Sequence, residues 1–184
     1  MQQEVIIAGF GGQGVLFAGQ LLSYTALDQG KEVTWIPSYG PEMRGGTANC
    51  TVVISDEEIG SPFVKNPTAV IAMNLPSLEK FEDMIEEGGL LVVNASMINR
   101  GVERDDIKVV SIPANEIAQE IGSERTVNMV MLGALLGNLD LLSLDALDKA
   151  LDNHLPERHK KFLPMNKEAL RRGAEYKAEA VAPA

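Results

Sequence analysis

The stretch EVIIAGFGGQGV, Glu4 to Val15, decides the fold, because it joins a buried strand to a helix through a run of glycines. Glu4–Ala8 is short, apolar and β-branched, which is typical of a strand covered on both faces of a parallel sheet. Val15–Leu27 then carries apolar residues at helical spacing, and Gly30 ends that helix. Strand, glycine-rich turn and helix together indicate an α/β unit of the nucleotide-binding type.

The turn itself, Gly9-Phe10-Gly11-Gly12-Gln13-Gly14, fits the pattern G-x-G-x-x-G with one extra glycine. The first glycine of such a turn permits a tight bend, the second lets the backbone approach a phosphate, and the third packs helix against strand. The start of the helix also offers unpaired N–H groups to an anion. We therefore expect contact with a phosphate or pyrophosphate here; the alternative is a tight turn without a ligand.

Outward from this unit, strands and helices alternate along the chain. Further strands are predicted at Val33–Ile36, Thr47–Ile54, Ala69–Met73, Leu90–Asn94 and Val109–Ile112, and helices at Pro76–Glu87, Ala114–Ile121, Thr126–Gly137, from Ser143, and at Asn166–Tyr176. This order predicts a mostly parallel sheet with helices on both faces and a helical C-terminal part, a single Rossmann-like α/β domain. We expect that domain to span residues 1–176 and residues 177–184 to form a flexible tail.

Composition narrows the class of protein. The 184 residues contain 26 acidic and 16 basic side chains, a formal net charge of -10, with no concentrated basic stripe. Such a chain is not expected to bind nucleic acid or an anionic membrane surface, because both need a positive face. There is no positively charged leader and no run of about 20 apolar residues, so a cytoplasmic location is expected.

Three kinds of residue limit the chemistry that this chain could perform. The second strand ends in Pro37-Ser38-Tyr39 rather than in a ribose-binding carboxylate, which weakens the hypothesis of an NAD dehydrogenase. His154 and His159 are expected to be exposed surface residues, so the sequence offers no catalytic residue. The single cysteine, Cys50, is expected to be buried and excludes an all-cysteine iron–sulfur site in this chain.

Two polar segments are expected to be purely structural. Asn128 interrupts an apolar helix near its start, where a helix cap is favoured over a place at a subunit boundary. The acid-rich stretch Glu79–Glu87 is expected to be a solvated helix face.

A second loop, Ser38-Tyr39-Gly40-Pro41-Glu42-Met43-Arg44-Gly45-Gly46, is the most distinctive stretch. It follows a predicted strand, at the edge where open α/β sheets bind ligands. Arg44 offers a rigid fork of donors for a carboxylate or phosphate, and Gly45 and Gly46 allow close backbone approach. The alternative is that Glu42 and Arg44 hold the loop to itself.

GFGGQGV at Gly9–Val15 followed by SYGPEMRGG at Ser38–Gly46 closely resembles the gamma subunit family of 2-oxoacid:ferredoxin oxidoreductases. The similarity to that family extends to Val52–Pro62, Ala69–Met73, Gly88-Gly89, and Asn128 with Met131-Leu132-Gly133-Ala134. The resemblance covers most of the chain, to about Arg172, and the pair of motifs is far more specific than either motif alone.

The resemblance implies a multi-subunit complex that oxidatively decarboxylates a 2-oxoacid, transfers the acyl group to coenzyme A and passes electrons through iron–sulfur clusters to ferredoxin. Thiamine diphosphate, magnesium and the clusters would be held by the partners, the alpha, beta and possibly delta subunits. This chain would be non-catalytic, inactive alone, and without a bound cofactor of its own. A separate, unfused chain favours 2-oxoglutarate as substrate; pyruvate and branched-chain oxoacids remain alternatives.

The resemblance also implies which residues line the shared coenzyme A cleft, with no metal ligand among them: Gly9, Gly11, Gly12, Gln13, Gly14, Tyr39, Arg44, Gly45 and Gly46. Two other functions stay open. One is a stand-alone nucleotide-dependent enzyme, and the other is a stand-alone nucleotide- or acyl-CoA-binding protein.

Overall fold

A computed structural model describes residues 1–39 and 46–180. Its strands are β1 (Gln2–Phe10), β2 (Glu32–Tyr39), β3 (Thr47–Ser55), β4 (Ala69–Ala72), β5 (Leu90–Asn94), β6 (Lys108–Ile112) and β7 (Glu179–Ala180). Its helices are α1 (Val15–Asp28), α2 (Leu75–Phe81), α3 (Ala114–Ile121), α4 (Val127–Asn138), α5 (Leu144–His154) and α6 (Leu163–Ala174). Short 3-10 turns cover Glu82–Met84, Glu124–Thr126 and Glu157–Phe162.

The strands form one sheet in the order β2-β3-β1-β4-β5-β6-β7. β1, β4, β5 and β6 run parallel to one another, whereas β3 runs antiparallel to both β1 and β2, and β7 antiparallel to β6. The prediction of a mostly parallel α/β sheet is therefore confirmed. β3 reverses direction because the segment 40–46 that joins it to β2 is too short for a crossover connection.

The sheet buries side chains on both faces, and β1 shows the alternation. Val5 and Ile7 face the core formed with α1, α3, α4, α5 and α6, whereas Ile6 and Ala8 face the core formed with α2. All four side chains are at most 3% exposed. Helices on both faces were predicted correctly, but the cover is unequal: the second face is covered by α2, its 3-10 turn and the segment 98–107.

Helices α4 and α6 cross in backbone contact. A Cβ atom added at Gly133 of α4 would meet the carbonyl of Leu170, and one added at Gly173 of α6 would meet the carbonyl of Val130. Glycine therefore permits the two helices to lie closer than ordinary side chains would allow.

The acid-rich stretch 79–87 differs from its prediction as a solvated helix face. α2 ends at Phe81, and Glu82 lies in the following 3-10 turn with only 3% of its surface exposed. Its carboxylate accepts a hydrogen bond from Arg100 Nη2 at 2.7 Å and another from the backbone N–H of Glu103. This ion pair joins the loop before β6 to the second face of the sheet. The local pattern of charges does not predict it, because the two partners lie in different elements.

The predicted flexible tail, 177–184, begins with residues held to the domain. Lys177 Nζ donates to the carbonyl of Gly137 at 2.9 Å, and Ala178 N–H donates to Asn138 Oδ1 at 2.7 Å. β7 then pairs with β6. Residues 181–184 lie outside the described part of the chain. Within the described residues, no helix is both long enough and apolar enough to cross a bilayer.

Candidate functional site

The candidate site lies at one edge of the sheet, where β1, β2, β4, β5 and β6 all end. Open α/β sheets bind ligands outside the carboxyl ends of their strands. Gly9 of β1 and Tyr39 of β2 both pair with Ala48 of β3, so the two predicted loops leave the sheet on either side of one strand.

The two loops are joined directly. The N–H of Gly11 donates to the carbonyl of Gly46 at 2.9 Å. The structure therefore brings the glycine-rich turn and the end of the second loop together, as their common place at the sheet edge predicts. Arg44 and Gly45, also predicted for this site, lie outside the described residues.

Gly12 and Gly14 shape the exposed side of the turn. Gly12 has a φ of 99°, lies exposed, and has no atom within 4 Å of the position a Cβ would take. Gly14, with a φ of 75°, is the residue before α1, and within the described residues no side chain caps that helix. The N–H groups of the first helical turn have no intrahelical partner, so this side of the turn can bind an anion.

Gln13 faces inward rather than outward. Its Oε1 accepts a hydrogen bond from the N–H of Phe10 at 2.6 Å and one from Asn74 Nδ2 at 3.4 Å. Gly9 is buried beneath it, and a Cβ there would lie 2.6 Å from Gln13 Oε1 and 3.0 Å from Met73 Cβ. These two predicted site residues thus maintain the shape of the turn.

Asn128 is a supporting residue whose role the sequence predicted only in part. It is not the N-cap residue of α4, but its Oδ1 accepts from the N–H of Met129 in the first turn at 3.0 Å. Its Nδ2 donates to the carbonyl of Gly14 at 3.1 Å, a contact that was not predicted. Its side chain is buried, with 4% exposed, against the turn. A cap is a local interaction, whereas this contact depends on how α4 packs beside α1.

Two asparagines that end neighbouring strands were missed. Asn74, 2% exposed, follows β4 and caps α2 by accepting from the N–H of Ser77 at 3.0 Å. Asn94, fully buried at the end of β5, donates to Asn115 Oδ1 at 2.9 Å. The sequence pattern that could have identified both residues is an asparagine at the end of an apolar strand. For Asn74, Pro76 in the first helical turn adds to that pattern.

A carboxylate also lies at this edge. Ser96 Oγ donates to Glu116 and accepts from the N–H of Asn115 at 3.0 Å. The hydrogen bond from Ser96 lowers the pKa of Glu116, so this carboxyl group is ionised at neutral pH. Glu116 is thereby suited to hydrogen bonding rather than to proton donation.

Cys50 is buried, as expected, and burial raises the pKa of its thiol to about 12. A thiol that stays protonated is a poor nucleophile. Among the residues that the structure describes, no group of three histidine, cysteine or carboxylate side chains is placed to hold a metal ion.

Comparison with known proteins gives the family. Residues 4–176 match the family described as pyruvate ferredoxin/flavodoxin oxidoreductase. The ketoisovalerate oxidoreductase subunit VorA of Methanothermobacter thermautotrophicus is 39% identical over 96% of this chain and 36% of its own length. The 2-oxoglutarate synthase subunit KorC of Methanothermobacter marburgensis is 40% identical over 85% of this chain and 88% of its own. The chain thus spans little more than a third of the first relative.

Two solved structures are similar. The gamma subunit of a keto/oxoacid ferredoxin oxidoreductase from Geobacter sulfurreducens has a TM-score of 0.80 and 28% identity, over 94% of this chain and 96% of its own. A 2-oxoglutarate:ferredoxin oxidoreductase from Magnetococcus marinus, with 2-oxoglutarate, coenzyme A and succinyl-CoA bound, has a TM-score of 0.85 and 26% identity, over 95% of this chain and 30% of that one. This chain therefore belongs to the pyruvate ferredoxin/flavodoxin oxidoreductase family and is of the gamma-subunit type.

Proposed function

We propose that this chain is the gamma subunit of a complex that converts a 2-oxoacid and coenzyme A into carbon dioxide and an acyl-CoA while reducing ferredoxin. Its own part is to supply one wall of the coenzyme A site. The observation that carries this proposal is the hydrogen bond from Gly11 to Gly46, because it joins the glycine-rich turn to the last residue of the second loop.

The described residues fit a phosphate-bearing ligand. The backbone at Gly12 is open, and the first turn of α1 has no side-chain cap among the described residues. Backbone N–H groups at such a position bind phosphate oxygens. Gly11, Gly12 and Gly14 would therefore hold the ligand, with Gly9 and Gln13 keeping the turn in shape. Tyr39, Arg44, Gly45 and Gly46 would complete the site, with Arg44 as a charged donor.

The reaction itself belongs to the partners. Thiamine diphosphate with magnesium supplies the electron sink that decarboxylation needs, and iron–sulfur clusters carry the electrons onward. With a single cysteine, this chain has no set of ligands for a cluster. We propose alpha, beta and possibly delta subunits as its partners, ferredoxin as the acceptor, a cytoplasmic location, and no activity for the chain alone.

We propose 2-oxoglutarate as the substrate. The KorC relative, which matches this chain along nearly its whole length, is named as a subunit of 2-oxoglutarate synthase. The VorA relative, of similar identity, is named for ketoisovalerate, which is the alternative substrate. The substrate contacts would lie in the partner subunits, so a panel of 2-oxoacids is the direct way to decide.

The test is to tag the chain in its own host, purify it without oxygen, and measure viologen reduction with 2-oxoglutarate, pyruvate and 2-oxoisovalerate, each with and without coenzyme A. We expect co-purifying larger subunits and coenzyme A-dependent reduction, highest with 2-oxoglutarate. A solitary chain that binds a nucleotide or acyl-CoA, without any such activity, would contradict the proposal and favour a stand-alone binding protein.

A further inference from the structure

A cavity of about 540 Å³ lies beside α1. It is bounded by α1 from Phe17 to Tyr24, by the start of α4, and by the segment that runs from the end of α5 to Phe162. Of the described residues in the candidate coenzyme A site, Asn128 alone also lines this cavity. The described lining of the cavity thus contains no residue of the glycine-rich turn.

The described lining of this cavity has two cations and no carboxylate, although the chain has 26 acidic residues. The cations are Arg125 and Arg158, and His154 and His159 also line the cavity. His154 is held by Asp28, 3.0 Å from its Nε2. Such a lining favours an anionic ligand.

The two arginines stand apart from the others. Arg100, Arg104, Arg171 and Arg172 each form an ion pair with a carboxylate. Within the described residues, the arginines that have no carboxylate partner are those of the cavity, Arg125 and Arg158. The Nε of Arg158 instead donates to His159 Nε2 at 3.1 Å. Their remaining donors are free to bind the oxygens of a phosphate.

The cavity is also rich in rings. Both histidines of the chain line it, together with Phe17, Phe162 and Tyr24. The Tyr24 and His154 rings stack on each other with centroids 4.5 Å apart and planes 11° apart, which leaves the outer face of each ring for a ligand. His159 and Phe162 form a tilted pair with centroids 6.4 Å apart. Flat apolar walls of this kind suit a planar ring.

We propose that this cavity binds a nucleoside phosphate, with the base against the aromatic walls and the phosphate on Arg125 and Arg158. Its volume lies within the usual range for small-molecule sites, roughly 300 to 1,000 Å³. The proposal does not rest on the function proposed above, because none of the backbone groups of the glycine-rich turn takes part. The nucleotide could be free or could be the nucleotide end of coenzyme A.

The test is calorimetry on the full-length chain with AMP, and separately with adenosine and with inorganic phosphate. We expect AMP to bind at least tenfold more tightly than adenosine or inorganic phosphate, because AMP alone contacts both the aromatic rings and the arginines. Replacing both arginines, Arg125→Gln with Arg158→Gln, is expected to weaken AMP binding at least tenfold. Arg171→Gln, on an exposed arginine outside the cavity, is the matched control and should leave binding unchanged.

Further tests examine the aromatic walls and separate the two sources of nucleotide. Phe162→Ala should also weaken AMP binding, whereas Phe63→Ala, on an exposed phenylalanine outside the cavity, should not. Competition by coenzyme A identifies its nucleotide end as the ligand, and no competition identifies a free nucleotide. AMP that binds no better than inorganic phosphate would overturn the proposal. Loss of partner subunits from the double variant, without any AMP binding to the native chain, would also overturn it and identify a protein-docking face.

Discussion

Asn128 and Gly14 are joined by a hydrogen bond of 3.1 Å, from the side-chain amide of one to the carbonyl of the other, although 114 residues separate them. The bond ties the first turn of α4 to the residue that precedes α1. A Cβ atom on Gly14 would collide with the Asn128 side chain, so no larger residue fits beside it. The shape of the glycine-rich turn therefore depends on the packing of a distant helix.

Asn128→Ala removes this support. It breaks the bonds to Gly14 and to the N–H of Met129 and leaves a buried carbonyl with one partner fewer, which we expect to cost about 2 kcal/mol of the free energy of unfolding. We also expect a higher KM for coenzyme A in the purified complex. Asn138→Ala is the matched control, because it removes amide bonds to Tyr176 and Ala178 far from the turn. If the two variants change the KM alike, Asn128 has no special role in the site.

The buried pair of Glu82 and Arg100 gives a second prediction. Arg100→Gln leaves the Glu82 carboxylate buried without its cation, which we expect to cost about 3 kcal/mol in urea unfolding. Arg171→Gln breaks the exposed pair with Asp148 and should cost less than about 1 kcal/mol. Adding Glu82→Gln to Arg100→Gln should recover most of the loss, because it removes the unpaired charge. No recovery would mean that packing of the Arg100 side chain, not charge, holds this loop.

The elements of this fold follow well from local sequence. Apolar β-branched runs identify the buried strands such as Leu90–Asn94, and the glycine-rich turn identifies the strand-to-helix unit at the start. β2 continues through Pro37 to Tyr39, beyond its predicted end, because it is an edge strand in which proline is tolerated.

Some features of the fold were not predicted. The reversed direction of β3 could have been inferred from the short connection to β2, whereas the others depend on contacts between distant parts of the chain. The burial of Glu82 and the contact of Asn128 with Gly14 could not, because each requires a partner outside its own element. At the candidate site, the closeness of the two loops was predictable from their place at the strand ends. The inward position of the Gln13 side chain was not.

Cys50 predicts a measurable dependence of stability on pH. Burial raises the pKa of the thiol from its ordinary value of 9.0 to about 12, so the folded state keeps a proton that the unfolded chain releases above about pH 9. Its contribution to stability is therefore complete below that pH and is lost as the pH rises from there towards 12. Between pH 8 and pH 10 the free energy of unfolding should fall by about 1.4 kcal/mol more for the native chain than for Cys50→Ala. Urea unfolding measures both values.

The same thiol should resist labelling. At pH 8 a disulfide reagent such as dithionitrobenzoate should modify Cys50 only after the chain is unfolded in guanidinium. Rapid labelling of the folded chain, or equal pH dependence in the native chain and Cys50→Ala, would show that the thiol is accessible.

Because α4 and α6 cross in close contact, we predict that alanine in place of a glycine at the crossing destabilises the chain, contrary to its usual effect in a helix. Replacing a helical glycine by alanine ordinarily stabilises a helix by about 1 kcal/mol. Gly133→Ala and Gly173→Ala should instead each lower the free energy of unfolding by more than about 2 kcal/mol, because the new methyl group meets the backbone of the other helix. Gly60→Ala, in open space, is the control. If either helix variant were as stable as the native chain, the backbone contact between α4 and α6 would be contradicted.

The central claim is that the exposed backbone of the glycine-rich turn binds coenzyme A. Gly12 and Gly30 have similar surroundings, since both have positive φ and open space around the position of a Cβ, but they lie near opposite ends of α1. Alanine at either position should cost about 1 to 2 kcal/mol of stability through backbone strain.

The most direct measurement is therefore the KM for coenzyme A of the purified complex carrying Gly12→Ala, beside the one carrying Gly30→Ala. We expect Gly12→Ala to raise it at least tenfold, equivalent to about 1.4 kcal/mol of binding energy, and Gly30→Ala to leave it within twofold. Equal values for the two variants would contradict the claim that this turn contributes to the coenzyme A site.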